Sequence, residues 1–367
     1  MEYQTPKFFH VMQYADAADG DTIDMVSGNP DWEPPAAIRE GLHEYADGDA
    51  AEFQYPPSDG LQPLREEIAA RRNVEPDRVI VTNGTGEANY LGMARALDSD
   101  RGSEVVLIDP VYPYYPGKAS MLGGETTLVA ADRDGSLDTA ATCEAIDDDT
   151  ALVVLNTPNN PTGAVYDLDA VEAVVETAAD HDALVVVDEV YDHFDFTGDF
   201  ESALTLDADN VIVTSGVSKS MAITGFRVGY AIFPPALIES AKTRHMLVNV
   251  TTSRPAQQAV YQAYRETAPD YYADARDRLQ ERVETFTTAL DAAGAEYTRP
   301  DGAFYVLARF DDFPGTMANV KLLIDEAGVA GMPGATFGTA REEWIRFALV
   351  TPRVEAAAER LVEYFAD

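Results

Sequence analysis

Short apolar runs recur along the chain, each closed by a turn signal. Val79-Ile80-Val81 runs into Thr82-Asn83-Gly84, and Val105-Val106-Leu107-Ile108 into Asp109-Pro110. The same form returns at Leu152-Val153-Val154-Leu155 before Asn156, at Leu184 to Val187 before Asp188, and at Val211-Ile212-Val213 before Ser215-Gly216. These runs are rich in β-branched residues and do not alternate apolar with polar, the pattern of strands buried on both faces. Helix-like stretches lie between them, among them Glu87 to Leu97 and Leu168 to Ala179. Strand, loop, helix, strand in repetition predicts an α/β fold with a mostly parallel sheet flanked by helices. Polar and glycine residues fall at the carboxyl ends of the strands, where open α/β sheets hold their ligands.

From about residue 265 the texture changes. Leu279, Val283, Phe286 and Leu290 fall at helical spacing, and the stretch ends in Ala292-Ala293-Gly294 as a helix C-terminus does. Phe304-Tyr305-Val306-Leu307 reads as a strand and Val354 to Phe365 as a closing helix. The predicted organisation is a large domain over 36–264 and a smaller α+β domain over 265–367, joined by the N-terminal segment 1–35.

Composition narrows the function classes. The 367 residues are 46% hydrophobic, with 18 Tyr and 15 Phe, which supports a large core and argues against disorder. Against 64 Asp+Glu stand 26 Lys+Arg, a net charge of −38 that repels nucleic-acid phosphate and anionic lipid. The acids are spread along the chain as 37 Asp and 27 Glu, while lysine occurs five times. That pattern resembles proteins of salt-in halophilic microbes, in which molar salt screens self-repulsion. The lone Cys143 excludes an internal disulfide and a cysteine-based metal cluster, and no metal site is expected. No signal peptide is expected at the N-terminus, and no apolar run reaches the length of a membrane span. The expectation is a soluble, cytoplasmic protein.

Candidate chemistry gathers at the strand ends. Lys219, in Ser215-Gly216-Val217-Ser218-Lys219, sits just past an apolar run in a small-residue loop. A lysine desolvated beside another cation, for which Arg227 is the candidate, keeps its amine form and attacks aldehydes. Asp188 closes its own run, where a carboxylate can hold a heterocycle's ring nitrogen protonated; an N-cap or ion pair is the plainer role. Asn83-Gly84-Thr85-Gly86 joins a strand to a helix and offers free N–H groups to a phosphate, although most such turns are merely turns. Tyr112 can stack on a planar ring or simply pack in the core. Asn160 is by local rules a turn residue. Together these strand ends match what pyridoxal 5′-phosphate requires: cradle, stacking ring, amide, acid and nucleophilic lysine.

The blocks Asn156-Thr157-Pro158-Asn159-Asn160-Pro161-Thr162-Gly163, Asp188-Glu189-Val190-Tyr191 and Ser215 to Lys219, followed by Thr224-Gly225-Phe226-Arg227-Val228-Gly229-Tyr230, resemble the signatures of class I/II aminotransferases. These are pyridoxal-phosphate enzymes of fold type I. The resemblance runs from Ser27-Gly28-Asn29-Pro30 to Trp344-Ile345-Arg346-Phe347. It implies that Lys219 is the Schiff-base lysine and proton shuttle, that Asp188 pairs with the pyridine nitrogen, and that Asn160 and Tyr191 bond the ring's phenolic oxygen. It further implies that Tyr112 stacks on the ring and that Thr85, Gly86, Ser218 and Arg227 hold the phosphate with Tyr55 of a neighbouring subunit. Arg346, with Gly28 and Asn160 nearby, would grip the substrate carboxylate. One position departs from the pattern: Gly216 stands where relatives often carry a phosphate-binding serine, which leaves that contact to Ser218 or Ser215.

The implied activity is transfer of an amino group between an amino acid and a 2-oxo acid in a ping-pong cycle, by a homodimer with shared active sites. A β-eliminating lyase would use the same cofactor residues. A cofactor-binding regulator resembles this core fused to a winged-helix domain, which is not expected ahead of the Ser27 block, and the charge opposes DNA. Aspartate, aromatic and branched-chain donors all stay open, with Arg254 and Arg309 as candidate readers of a second carboxylate.

Overall fold

The computed structural model describes residues 7–18, 20–98 and 102–365. A short strand, β1 (Ile23–Asp24), is followed by the seven strands of the main sheet. These are β2 (Val79–Thr82), β3 (Glu104–Asp109), β4 (Glu125–Ala130), β5 (Thr150–Asn156), β6 (Leu184–Asp188), β7 (Val211–Gly216) and β8 (Gly229–Ile232). They lie in the order β2-β8-β7-β6-β5-β3-β4. All pairings are parallel except those of β8, which runs antiparallel to β2 and β7.

The unalternated runs are buried because helices cover both faces. Ala88 and Leu91 of helix Thr85–Leu97 pack on Val154, Val186 and Ile212. Val171, Val174, Val175 and Ala178 of helix Leu168–Asp180 pack on Val153, Val185 and Val213 from the other side. The fold is thus the expected α/β arrangement. Two strands had no matching run. β4 is an edge strand with most of its residues open to solvent, so it carries no continuous apolar signal. β8 is four residues that begin on the glycine of the Arg227 block.

The remaining strands are β9 (Glu296–Tyr297), β10 (Tyr305–Arg309), β11 (Val329–Ala330), β12 (Met332–Pro333) and β13 (Ile345–Ala348). β12-β13-β10-β9 form an antiparallel sheet, and β11 pairs in parallel with β1. Val11, Ile23, Met25 and Val26 therefore share a core with Val306, Ile345, Phe347 and Leu361. Helix Pro269–Ala292 spans the two bodies of the molecule. Its Ala275 and Leu279 pack beside Tyr191 and Phe304, and its Val283, Phe286 and Leu290 pack into the core of the antiparallel sheet. Arg282 of the same helix clamps Asp31 through Nη1 and Nη2 at 2.8 and 2.7 Å. On the opposite side the Asp109 carboxylate accepts from the Thr339 and Ala340 amides at 2.8 and 3.1 Å. These ties close a cleft between the strand ends of the main sheet and the antiparallel sheet.

Phe286 is fully buried and its ring lies 5.2 Å from that of Phe347. Phe286→Ala is expected to cost about 3–5 kcal/mol, read as a lower denaturation midpoint. An unchanged midpoint would show that this core does not carry the second body's stability.

Candidate active site

The carboxyl ends of the sheet strands open on a cleft of about 440 Å³. Lys219 enters it from the loop after β7, and its Nζ donates to the Gly28 carbonyl at 2.8 Å. Burial pushes the amine down to about 8, reinforced by Arg346 and Arg227 and opposed by Asp188. Gly28 has no room for a side chain, since a β-carbon there would stand 2.4 Å from Tyr305 Oη.

Asp188 ends β6 and is buried on the cleft floor. Its Oδ2 accepts from Asn89 Nδ2 at 2.6 Å and Tyr115 Oη at 2.7 Å, and its Oδ1 from the Val190 amide at 3.1 Å. Burial raises this carboxyl's pKa; the bonds from Tyr115, Asn89 and Val190 and the charge of Lys118 oppose that rise. Behind it lies a second layer of charge. Glu189 accepts from Arg72 Nη1 at 3.1 Å and from Ser202 Oγ, and Arg72 also bonds Asp192 and Tyr230. Burial pushes Glu189 up to about 7 even with Arg72 beside it. This buried network pins Glu189, next to Asp188, and Asp192, next to Tyr191.

The Thr85–Leu97 helix begins at the end of β2, and its first-turn N–H groups face the cleft at Thr85 and Gly86. A β-carbon at Gly86 would meet nothing within 4 Å, so the approach is open. Arg227 adopts a left-handed backbone, φ 55°, which turns its guanidinium onto the carbonyls of Thr224 (3.0 Å) and Asn83 (3.3 Å). Among the described residues no carboxylate pairs with it. Thr85 Oγ1 is buried without a hydrogen-bond partner. A β-carbon at Gly216 would come 2.7 Å from that hydroxyl. The threonine oxygen thus occupies the side where a serine at 216 would project. Ser218 lines the cleft, whereas Ser215 Oγ donates to the Glu189 carbonyl.

The far wall is Arg346, carried by β13 and buried. Its Nη1 donates to Asn160 Oδ1 at 3.2 Å, its Nη2 to the Val26 carbonyl, and its Nε has no partner. The guanidinium lies over the rings of Tyr305 and Phe337, 4.5 and 5.0 Å from their centroids. Tyr191 Oη meets Tyr305 Oη at 3.1 Å. Tyr112 also lines the cleft, with Tyr114 beside it at 4.8 Å between centroids.

The cleft therefore brings together Gly28, Thr85, Gly86, Tyr112, Asn160, Asp188, Tyr191, Ser218, Lys219, Arg227 and Arg346. It does not bring Tyr55, which is 82% exposed on the surface. Arg254 donates to the Ala51 and Gln54 carbonyls, and Arg309 sits among Glu296, Asp311 and Glu343, so neither lines the cleft. Sequence reasoning missed Asn89, Tyr115, Lys118 and Tyr305. Asn89 lies one turn beyond Thr85 on the same helix, a spacing that points at the same face.

The residues fit pyridoxal phosphate. An orphaned hydroxyl and an unpaired guanidinium wait at a helix N-terminus, a buried acid lies on the floor, and a desolvated amine stands beside them. The comparisons with known proteins agree. The family model for aminotransferase class I and II matches residues 20–364. The chain belongs to that family. Its relatives include a probable aspartate/prephenate aminotransferase of Thermus aquaticus, 31% identical over 94% of this chain and 91% of that protein. An aspartate aminotransferase of Bacillus subtilis is 28% identical over 95% and 92%. Among solved structures, the aspartate aminotransferase of Thermus thermophilus with maleate superposes with a TM-score of 0.89 at 29% identity, covering 99% and 96% of the two chains. This chain is thus a pyridoxal-phosphate-dependent aminotransferase.

In this aminotransferase Gly229 lets β8 press against the helix start: a β-carbon there would stand 2.4 Å from the Thr85 nitrogen. Gly229→Ala should displace that turn and weaken pyridoxal phosphate binding about tenfold to a hundredfold, measured by absorbance titration. Unchanged affinity would show that the Thr85 turn does not hold the cofactor.

Proposed function

We propose that this aminotransferase takes an amino group from an amino acid and passes it to a 2-oxo acid in a ping-pong cycle, with Lys219 and Arg346 as its two working cations. The observation that carries the reading is their pairing in one cleft: a desolvated amine and a buried guanidinium, with no carboxylate in salt-bridge range of either among the described residues. When bound, pyridoxal phosphate supplies an electron sink for negative charge at the substrate Cα. Lys219 would hold it covalently, and its amine would carry the proton at that carbon. Asp188 holds a proton on the ring nitrogen, while Asn160 and Tyr191 bond the phenolic oxygen and Tyr112 covers the ring face. Thr85, Gly86, Ser218 and Arg227 hold the phosphate. Arg346 fixes the substrate α-carboxylate, with Asn160 orienting the guanidinium and Gly28 bounding the site.

The working form is a homodimer. Phe53, Tyr55, Leu247, Val248 and Val250 are exposed apolar residues, Leu247 at 77%. Arg254 ties their two segments into one surface through the Gln54 carbonyl at 3.2 Å. A second copy seated there would bring its Tyr55 to the phosphate. Residues 36–264 form the large, cofactor-binding domain, and 1–35 joins 265–367 in the small one; residues 1–6, 19, 99–101, 366 and 367 lie outside the described set. Cytoplasmic location is supported by the free Cys143. No helix among the described residues is long and apolar enough to cross a membrane.

A near-UV/visible spectrum in molar KCl, taken before and after each of a panel of amino acids beginning with glutamate, tests the reading. Conversion of the cofactor band by an amino acid, with release of a 2-oxo acid, is the expected result. Release of ammonia with no need for an acceptor would mark an eliminating lyase instead. Lys219→Ala should lower turnover by at least about 10³-fold while leaving the circular dichroism unchanged. Arg346→Ala should raise KM for the amino donor about tenfold to a hundredfold; an unchanged KM would remove it from the carboxylate site. Covalent capture of cofactor by the apo-protein should accelerate as pH rises through about 8, where Lys219 loses its proton, and level off above. A rate rising only near the ordinary lysine range would contradict the desolvated amine.

A further inference from the structure

Beyond the groups engaged above, the cleft's remaining wall decides which side chain an amino donor can carry. With the α-carboxylate on Arg346, that side chain must lie against what surrounds the guanidinium. Phe337 and Tyr305 flank it. Met332 is the register partner of Arg346 across β12 and β13. Met12, from helix Lys7–Ala17, lines the cleft and packs on the same core as Val26 and Phe337. Tyr114 lines the cleft with them. Thr336 supplies a hydroxyl.

Among the described residues of one protomer, a second carboxylate would find no guanidinium here besides Arg346. Arg227 is committed to the phosphate end, and Arg254 and Arg309 lie outside the cleft of their own protomer. The unassigned cation of the cleft among the described residues is Lys118, whose Nζ sits over the Tyr114 ring at 5.3 Å. Burial pushes it down to about 8, and the charge that acts on it is Asp188. Lys118 is thus held against the Tyr114 ring, while Met332 and Phe337 are the side chains beside Arg346. A carboxylate buried among thioethers and aromatic rings without a partner is strongly disfavoured, whereas an apolar chain there is favoured by every atom it removes from water.

We propose that the donor subsite of this aminotransferase selects a large apolar or aromatic side chain over aspartate and glutamate, with Met12, Met332 and Phe337 as its specificity-determining wall. The inference rests on Arg346 holding the α-carboxylate.

Two unreactive acids separate the possibilities, 3-phenylpropanoate and succinate, titrated calorimetrically into the holoenzyme in molar KCl. The expected result is tighter binding of 3-phenylpropanoate by at least about tenfold, matched by faster half-reactions with phenylalanine, methionine or leucine than with aspartate. Met12→Arg should narrow or reverse that preference. Tighter binding of succinate overturns the proposal, and its loss in Lys118→Met would then make Lys118 the reader of a second carboxylate. Binding of neither acid, with no amino acid converting the cofactor, would overturn the Arg346 assignment itself and this inference with it.

Discussion

Four cations without salt-bridged carboxylates among the described residues, Lys118, Lys219, Arg227 and Arg346, share one cleft with a buried carboxylate, Asp188. Much of the structure can be understood as the means of holding that arrangement. Burial, and after it the like charges of Arg346 and Arg227, makes Lys219 give up its proton more readily. Backbone carbonyls take the hydrogen bonds instead: Gly28 for Lys219, Asn83 and Thr224 for Arg227, Val26 for Arg346. Carbonyls satisfy the donors and leave the charge uncancelled, so the cleft stays receptive to a phosphate and a carboxylate. In a chain of net charge −38, keeping acids out of this one place is a strong constraint on sequence.

The fold meets it by drawing the groups from two bodies. Lys219, Asp188 and Arg227 come from strand ends and loops of the main sheet, while Arg346, Tyr305 and Phe337 come from the antiparallel sheet and its connections. Gly28, in the segment after β1, lies between them. Because β1 pairs with β11, the N-terminal stretch packs with the C-terminal sheet, and its carbonyls meet a lysine almost two hundred residues away. The Arg282–Asp31 clamp and the Asp109 bonds to Thr339 and Ala340 close the two sides. The Arg72–Glu189–Asp192 network is the converse of the cleft. There the charges are paired, and what the pairing secures is the position of Tyr191 between them and of Asp188 beside Glu189. A buried pair of this kind contributes little net stability when intact but is costly to break.

Glycine accounts for the close approaches on the phosphate side. Gly216 and Gly229 let β7 and β8 press against the start of the Thr85 helix, and the Thr85 hydroxyl stands where a serine at 216 would have pointed.

The strands of the main sheet were legible because burial on both faces leaves an unbroken β-branched run. The residues at their carboxyl ends were legible because α/β sheets open there. Lys219, Asp188, Asn160, Arg227 and Arg346 could thus be picked out from strand ends and family blocks. Edge strand β4 could not, since half of it faces water and writes no continuous apolar signal. Nor could the side-chain directions that choose between neighbours. Ser215 turns to the Glu189 carbonyl and Ser218 to the cleft, an outcome of strand pleat and turn geometry. Asn89, Tyr115 and Lys118 enter on helix faces whose rotation is set by packing against the sheet. The sequence by itself determined the fold class, the cofactor chemistry and the residues at the strand ends, because local periodicity and short motifs encode them. Only the tertiary structure decided the wall beside Arg346, because Met12, Met332 and Phe337 meet there through β1–β11 pairing and sheet closure, long-range contacts that no local pattern records.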